Sequence, residues 1–274
     1  MKAAGEQLMK KRKHLFWSPC VAHCIDLMLE DIGQMKSIKD AIKQGRRITS
    51  FTYNSDKVVN LMKTYTNNRE LLRPDITRFA TEFIATESLL GHTTELKRMC
   101  TSNEWHKYTS SSKRREEATE VSDLILSERF WKRVQQVCAV MEPLVKVLKV
   151  INQDKKSTLP IIYEAIERVK MAIEIVVKDY QKYWDIIDDR WYRQLHQHLH
   201  AAAYFLNPAL QCSGTCEFNT REVRRGLKEV IKRLEPDLEV QAKAMNEINT
   251  IVNKIGEFGR ALAIKEVARS LSGS

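Results

Sequence analysis

The sequence predicts a mainly α-helical protein, and three observations carry that prediction. Apolar residues recur at the 3.6-residue period of a helix, as in Phe130, Val134, Val137, Met141, Leu144, Leu148 and Ile151. Only 9 Gly and 6 Pro occur in 274 residues, few for a β-protein of this size, in which each hairpin needs a tight turn. No alternating strand pattern appears after residue 110. Hydrophobic content of 43% and charged content of 29% are those of a folded globular chain with ample material for a core.

Composition also removes some function classes. No apolar run approaches the roughly 18–20 residues that cross a bilayer, and the first residues lack the apolar stretch of a secretory signal. A membrane partner is therefore not expected. Six cysteines, at 20, 24, 100, 138, 212 and 216, read as reduced thiols of the cytosol or nucleus. A formal charge of +10, from 45 basic and 35 acidic residues, suits a polyanionic partner such as DNA. There is no phosphate-binding glycine loop, nucleophile elbow or dinucleotide fingerprint, so motifs alone name no enzyme.

Taken in order, the chain begins with a stretch ending in Lys10, Lys11, Arg12, Lys13 and His14. This basic cluster reads as a nuclear-import or phosphate-contacting patch, or as the solvated end of a helix. Residues 17–33 follow, with Pro19 suited to a first helical turn and Gly33 to a left-handed terminus. Between them Cys20, His23, Cys24 and Leu27 share one helical face. A thiol and an imidazole one turn apart fit a metal half-site, an active-site wall or ordinary core.

Short helices are expected over 38–48 and 56–65, joined by a loop at 49–55 whose Ser55 can serve as N-cap. Arg73-Pro74-Asp75 breaks the chain, and a helix carrying Ile76, Phe79, Phe83 and Leu90 runs to about residue 100. Residues 109–117, serine-rich and then charged, read as an exposed connection. The main domain boundary is placed there, giving 1–108 and 109–274.

The second part reads as almost pure amphipathic helix. Residues 130–151 form one, with Pro143 as a kink point. The next starts at Ser157-Thr158-Leu159-Pro160 and carries Ile162, Ile166, Val169, Ile173, Val176 and Tyr180. Another runs from about Asp189 through Leu195, Leu199, Ala202 and Phe205 to Asn207-Pro208. After a loop holding Cys212 and Cys216, Thr220 caps a helix with Val223, Leu227, Val230 and Leu234, stopped by Pro236. A last helix uses Leu238, Met245, Ile248, Val252 and Ile255, up to Gly256.

Three clusters invite a metal. His196, His198 and His200 do so first, but only the outer two share a face and no carboxylate follows His196 as in a metalloprotease helix. Packing histidines are the expected outcome. Cys212 and Cys216 lack a second pair at zinc-finger spacing. Asp185, Asp188 and Asp189 read as caps of a following helix rather than a Mg²⁺ site, with a live nuclease as the outlying alternative.

Four blocks in one order resemble the hAT-type DNA transposases, particularly their plant branch. Trp17-Ser18-Pro19-Cys20-Val21-Ala22-His23-Cys24 is similar to the family's Cys-x-x-His block. Leu72-Arg73-Pro74-Asp75-Ile76-Thr77-Arg78-Phe79 resembles its Thr-Arg-aromatic block. Residues 159–170 resemble a helix of its insertion domain, and residues 191–208 a stretch ending in "LHAAxYFLNP". The resemblance implies an RNase-H-like core split by a large all-helical insertion, and cut-and-paste DNA transposition with Mg²⁺ or Mn²⁺ held by three acidic residues.

Carried onto this sequence, Cys20 and His23 would line the active site. Arg78 and Phe79 would meet a flipped base near the transposon end, with Phe where the family often has Trp. The family's three metal-binding acids would fall outside this chain. The fold class expected is thus a remnant of a split RNase-H-like core (1–108) followed by an all-helical insertion domain (109–274). The function expected is that of a truncated or domesticated transposase-like protein, nuclear rather than cytoplasmic, with no catalytic residue, metal ligand or cofactor of its own. It would retain sequence-independent DNA binding through a patch at Lys10, Lys11, Arg12 and Lys13. The alternative is a helical protein–protein module with no DNA role, self-associating or meeting a partner through exposed apolar faces of its first hundred residues.

Overall fold

The computed structural model describes residues 2–73, 79–111, 113–152, 159–207, 220–253 and 255–256, and among these there is no strand. The helices are α1 (Lys2–Lys11), α2 (Val21–Gln34), α3 (Lys36–Tyr53), α4 (Asp56–Tyr65), α5 (Phe79–Gly91), α6 (Thr93–Cys100), α7 (Asn103–Ser111) and α8 (Arg115–Leu126). They continue as α9 (Glu128–Ile151), α10 (Leu159–Val176), α11 (Gln181–Arg190), a π-helical turn (Trp191–Leu195), α12 (His198–Phe205), α13 (Thr220–Leu234) and α14 (Leu238–Val252). The expectation of a mainly helical chain holds. The chain divides into two compact units: unit 1 takes residues 1–24, 151–168 and 189–274, and unit 2 takes 25–150 and 169–188.

Unit 2 is a helical bundle with a largely apolar core. Ile25, Met28, Leu29 and Ile32 of α2 are fully buried, a stripe one residue off the Cys20–His23–Leu27 face. In α3 the buried set is Ile38, Ala41, Ile42, Gly45, Ile48, Thr49, Phe51 and Thr52. α8 packs on α3 and α6, and α6 packs on α4. Trp105 stacks edge-on against Phe51 at 6.0 Å and its Nε1 donates to the Ser122 hydroxyl at 2.9 Å. Trp131 Nε1 donates to the Ile125 carbonyl at 2.7 Å, satisfying an end carbonyl of α8 that no helical N–H reaches. Ion pairs join one helix to another: Arg46 to Glu82, Arg47 to Glu120 and Lys97 to Glu128.

Several boundaries differ from the sequence reading, each for a local reason. Gly33 does not end α2; it lies buried inside the helix, which runs on to Gln34. The expected loop at 49–55 is mostly helix, because Thr49 and Thr52 return their hydroxyls to the Arg46 and Ile48 carbonyls and Phe51 joins the core. Ser55 sits at the N-cap of α4 with extended backbone, yet its side chain makes no capping bond. The helix over 79–100 breaks at His92, and Leu89 rather than Leu90 is its buried leucine. α7 and α8 take up most of the expected connection at 109–117, and residue 108 lies within unit 2.

Unit 1 is organised by a very close helix pair. α13 crosses α12, and a Cβ built on Gly226 would lie 2.6 Å from the Ala201 Cβ. Only glycine allows that approach. Around it Ala202, Leu227, Val230 and Ile248 form a core, with Phe16, Leu199, Phe205, Ile231 and Met245 packed against it. A second aromatic group joins Tyr163 to Trp191 at 5.6 Å and to Tyr204 at 5.1 Å. Tyr163 donates to Glu222 at 3.2 Å. The helix expected to run unbroken from 189 to 205 is interrupted at His196–Gln197, after the π-helical turn.

Candidate nucleic-acid interface

α13 has the sequence TREVRRGLKEVIKRL, and its two faces could hardly differ more. Val223, Leu227 and Val230 are buried on one side. Arg221, Arg224, Arg225, Lys228 and Lys232 are exposed, and their i, i+3, i+4, i+7 and i+11 spacing sets them along the opposite side. From Arg221 to Lys232 the stripe is about 16 Å long at 1.5 Å per residue. Arg221, Arg224, Arg225 and Lys228 make no ion pair with another described residue. The two acids of the helix are already engaged: Glu222 with Tyr163 and His196, Glu229 with Lys232 at 3.4 Å.

The C-terminal end of this stripe opens on a cleft of about 1110 Å³ within unit 1. Its walls come from α1 and the chain after it (Glu6, Met9, Lys10, Lys13, His14, Phe16, Trp17), from residues 192–194 and 196–198, and from Glu229, Lys232, Arg233, Leu234 and Pro236. Lys10, Lys13, Arg193, Lys232 and Arg233 stand there against Glu6 and Glu229, so the cleft is net positive. Arg233 fixes its geometry. The guanidinium donates to the Leu15 carbonyl at 3.0 Å and the Met9 carbonyl at 2.7 Å, placing a cation on the open C-terminal end of α1. It also lies 5.1 Å over the Phe16 ring. Trp17 rests on Gly5, where an added Cβ would overlap the indole. Tyr192 is 59% exposed and faces the His196 ring at 5.7 Å.

Of the three histidines, His198 is exposed at the cleft, while His196 is partly and His200 fully buried, the Nδ1 of each without a partner among the described residues. His200 is fully buried in unit 1, 3.3 Å from the Ser18 hydroxyl and 6.2 Å from the Trp191 ring centroid. Burial, helped by neighbouring His196, pushes its pKa down to about 4. His196 is also shifted down by burial, against the pull of Glu222 3.4 Å away. The three acids at 185–189 lie inside α11 and not at a helix start, so they cap nothing. Asp185 accepts from Gln181, Asp188 from Lys170 at 2.8 Å, and Asp189 pairs with Arg193 at 2.6 Å. Among the described residues no three His, Cys, Asp or Glu side chains are grouped to hold a metal ion. The donor set implied by the transposase resemblance is not assembled among the described residues.

Of the residues singled out in the sequence, Lys10 and Lys13 enter the cleft, while Lys11 and Arg12 are exposed beside them. Cys20 precedes α2, closing its first turn through Cys24 N–H to Cys20 carbonyl at 3.1 Å. Cys20 and His23 are both exposed and neither lines the cleft. Cys24 is buried and its thiol is raised to about 11, mainly by burial. Arg78 lies outside the described residues, as do Cys212 and Cys216, and Phe79 opens α5. Phe16, Trp17, Tyr192, Lys232 and Arg233 were not anticipated. For the aromatics the signal was present as rings set close to cations in sequence, in Lys13-His14-Leu15-Phe16-Trp17 and Trp191-Tyr192-Arg193.

Residues 1–48 match a family described as a domain of unknown function, DUF659, a domain found in hAT-like and plant transposase-like proteins. The match covers α1, the aromatic pair at 16–17, the Cys-x-x-His block and most of α3. No curated protein and no solved structure matches the chain.

Proposed function

We propose that this chain is a transposase-like DNA-binding protein that does not itself cut DNA, and that it holds the phosphate backbone on the exposed face of α13 and the rim of the adjoining cleft. The observation that carries this reading is the stripe Arg221, Arg224, Arg225, Lys228 and Lys232, leading to a cleft that adds Lys10 and Lys13. Cations at i, i+3 and i+4 lie about 5–6 Å apart, close to the spacing of successive phosphates. Backbone neutralisation of this kind is indifferent to sequence and releases counterions. The family match at residues 1–48 and the four resembling blocks supply the transposase context. In that context the nucleus is the place of action. Residues 1–108 would be a core remnant, with Cys20, His23, Arg78 and Phe79 in inherited positions, and 109–274 the insertion domain.

The test is fluorescence anisotropy with a labelled random-sequence duplex over a series of salt concentrations. Five phosphate contacts give a slope of log K against log salt of about −4.5. A flat salt response, or no binding at 50 mM salt, would end the reading. Incubation of a longer duplex with Mg²⁺ or Mn²⁺ is expected to leave it intact; cleavage lost on Asp188→Asn would establish the nuclease alternative instead.

The protein–protein alternative finds less support. Within the first hundred residues Leu8, Leu15 and Leu72 are the exposed large apolar side chains among those described; the apolar faces of α2 to α6 are covered by neighbouring helices of unit 2.

A further inference from the structure

We infer that the cleft at the end of α13 receives unpaired bases, so that the preferred ligand is single-stranded rather than duplex DNA. The inference deepens the proposed function and rests on it. A phosphate-binding surface needs only cations, and a duplex, whose base faces are covered by their stacked neighbours, can use nothing else here. This cleft offers more. Phe16, Trp17 and Tyr192 line it among Lys10, Lys13 and Lys232, the combination of cationic track and stacking platform by which single strands are held. Its volume of about 1110 Å³ lies just above the roughly 300–1,000 Å³ of pockets that enclose drug-sized ligands, and a nucleotide is a ligand of that size.

The aromatic rings are held ready rather than loose. Trp17 is seated on Gly5, whose missing side chain lets the indole lie against α1. Phe16 is backed by the Arg233 guanidinium, itself locked to two backbone carbonyls. Tyr192, more than half exposed, presents its ring to the opening. Rigid aromatic anchors lose little freedom on binding, which is why they carry affinity. A strand whose phosphates follow Arg221, Arg225, Lys228 and Lys232 thus arrives with a base at the exposed Tyr192 ring, with Phe16 and Trp17 forming the apolar wall beside it.

The experiment compares four fluorescein-labelled 15-mers at one salt concentration: dT15, an abasic strand of equal length, a duplex, and rU15. The expected order places dT15 about tenfold tighter than the abasic strand, the size of one base–aromatic stack, and tighter than the duplex. Tyr192→Ala, at an exposed position outside the core, should bring dT15 down to the abasic level and leave the abasic affinity unchanged. Tyr192→Phe should restore it. The inference is overturned if the duplex binds as tightly as dT15, if the abasic strand matches dT15, or if Tyr192→Ala changes both strands alike. Tighter binding of rU15 than dT15 would overturn the assignment to DNA. Failure of all four ligands to bind would instead remove the proposed function itself, an outcome separate from these.

Discussion

The two units use the same residue types for opposite purposes. In unit 2 the cations are tied into the fold: Arg46, Arg47 and Lys97 each reach a carboxylate on another helix, and Arg133 donates to Gln44 at 2.8 Å. In unit 1 Arg221, Arg224 and Arg225 of α13 are turned outward along one face, while Glu222 of that helix is drawn to Tyr163 and His196. The polar interior differs as well. Both units bury thiols raised by burial and so held uncharged, Cys24 in unit 1 and Cys100 and Cys138 in unit 2, and unit 1 buries an imidazole besides, that of His200. Charge that closes a fold and charge that is offered to a ligand look alike in composition and differ only in where the neighbouring carboxylates point.

The largest effect expected from breaking this contrast is in unit 2. Trp131 is 2% exposed, and Trp131→Ala removes its packing and leaves the Ile125 carbonyl without its donor. A loss of about 3–5 kcal/mol is expected, read as a shift in the denaturant midpoint. Hydrogen exchange should place the loss in α8 and α9. DNA affinity measured well below the transition should not change, because no residue of the proposed interface belongs to that unit.

Unit 1 should be the acid-sensitive one. His200 in the folded protein has a pKa of about 4, below its ordinary value near 6.5. Between those values the unfolded chain takes up a proton that the folded chain refuses. The stability present above pH 6.5 is therefore lost as pH falls towards 4, by about 3 kcal/mol if His200 acts alone. His196 is shifted in the same direction and adds to it. His200→Gln, which keeps a partner for Ser18 and cannot titrate, should flatten stability across that window. An unchanged slope in the variant would mean that another group governs acid unfolding.

One substitution made twice separates the units by sign. Gly226→Ala puts a Cβ 2.6 Å from the Ala201 Cβ and 3.2 Å from the His198 carbonyl. The overlap, at about 1–3 kcal/mol, outweighs the gain of up to about 1 kcal/mol that alanine brings to a helix. At Gly91, the last residue of α5, an added Cβ meets nothing within 4 Å, so Gly91→Ala keeps only the helical gain. Thermal melts should move down for the first and slightly up for the second. Equal shifts would show that the α12–α13 crossing yields to a methyl group.

Much of this could be read from the sequence, and what could not has a physical cause. The apolar stripes of α9, α10 and α13 were legible because each helix buries one face, and the period of 3.6 follows from that alone. Asp56–Tyr65 was found to the residue. Breaks inside helical stretches were not: Gly91 stands directly before the break at His92 without a proline to reinforce it, and His196–Gln197 carries neither proline nor glycine, so packing decides there. The cleft was half visible. Lys10 and Lys13 stood out as a charge run, but their convergence with Lys232 and Arg233, more than two hundred residues away, is a tertiary fact. Gly226 carries no signal of its role in sequence, and it is the reason the pair packs so closely.

The smallest effect on stability should be the most telling for function. Arg224→Ala, Arg225→Ala and Lys228→Ala together remove three exposed cations from α13, and surface changes of this kind stay within about 0.5 kcal/mol each. Lys97→Ala removes one cation that is 29% exposed and paired with Glu128; it forgoes a surface ion pair worth about 0–1 kcal/mol. If charge were acting through the net +10 alone, the α13 variant and any unit 2 variant losing three cations would weaken DNA binding equally. If the stripe meets phosphates, the α13 triple variant lowers the salt slope by about 0.9 per contact, while Lys97→Ala leaves the slope unchanged. A slope that responds to both alike would reduce the difference between the units to one of packing, and the outward face of α13 to ordinary solvation.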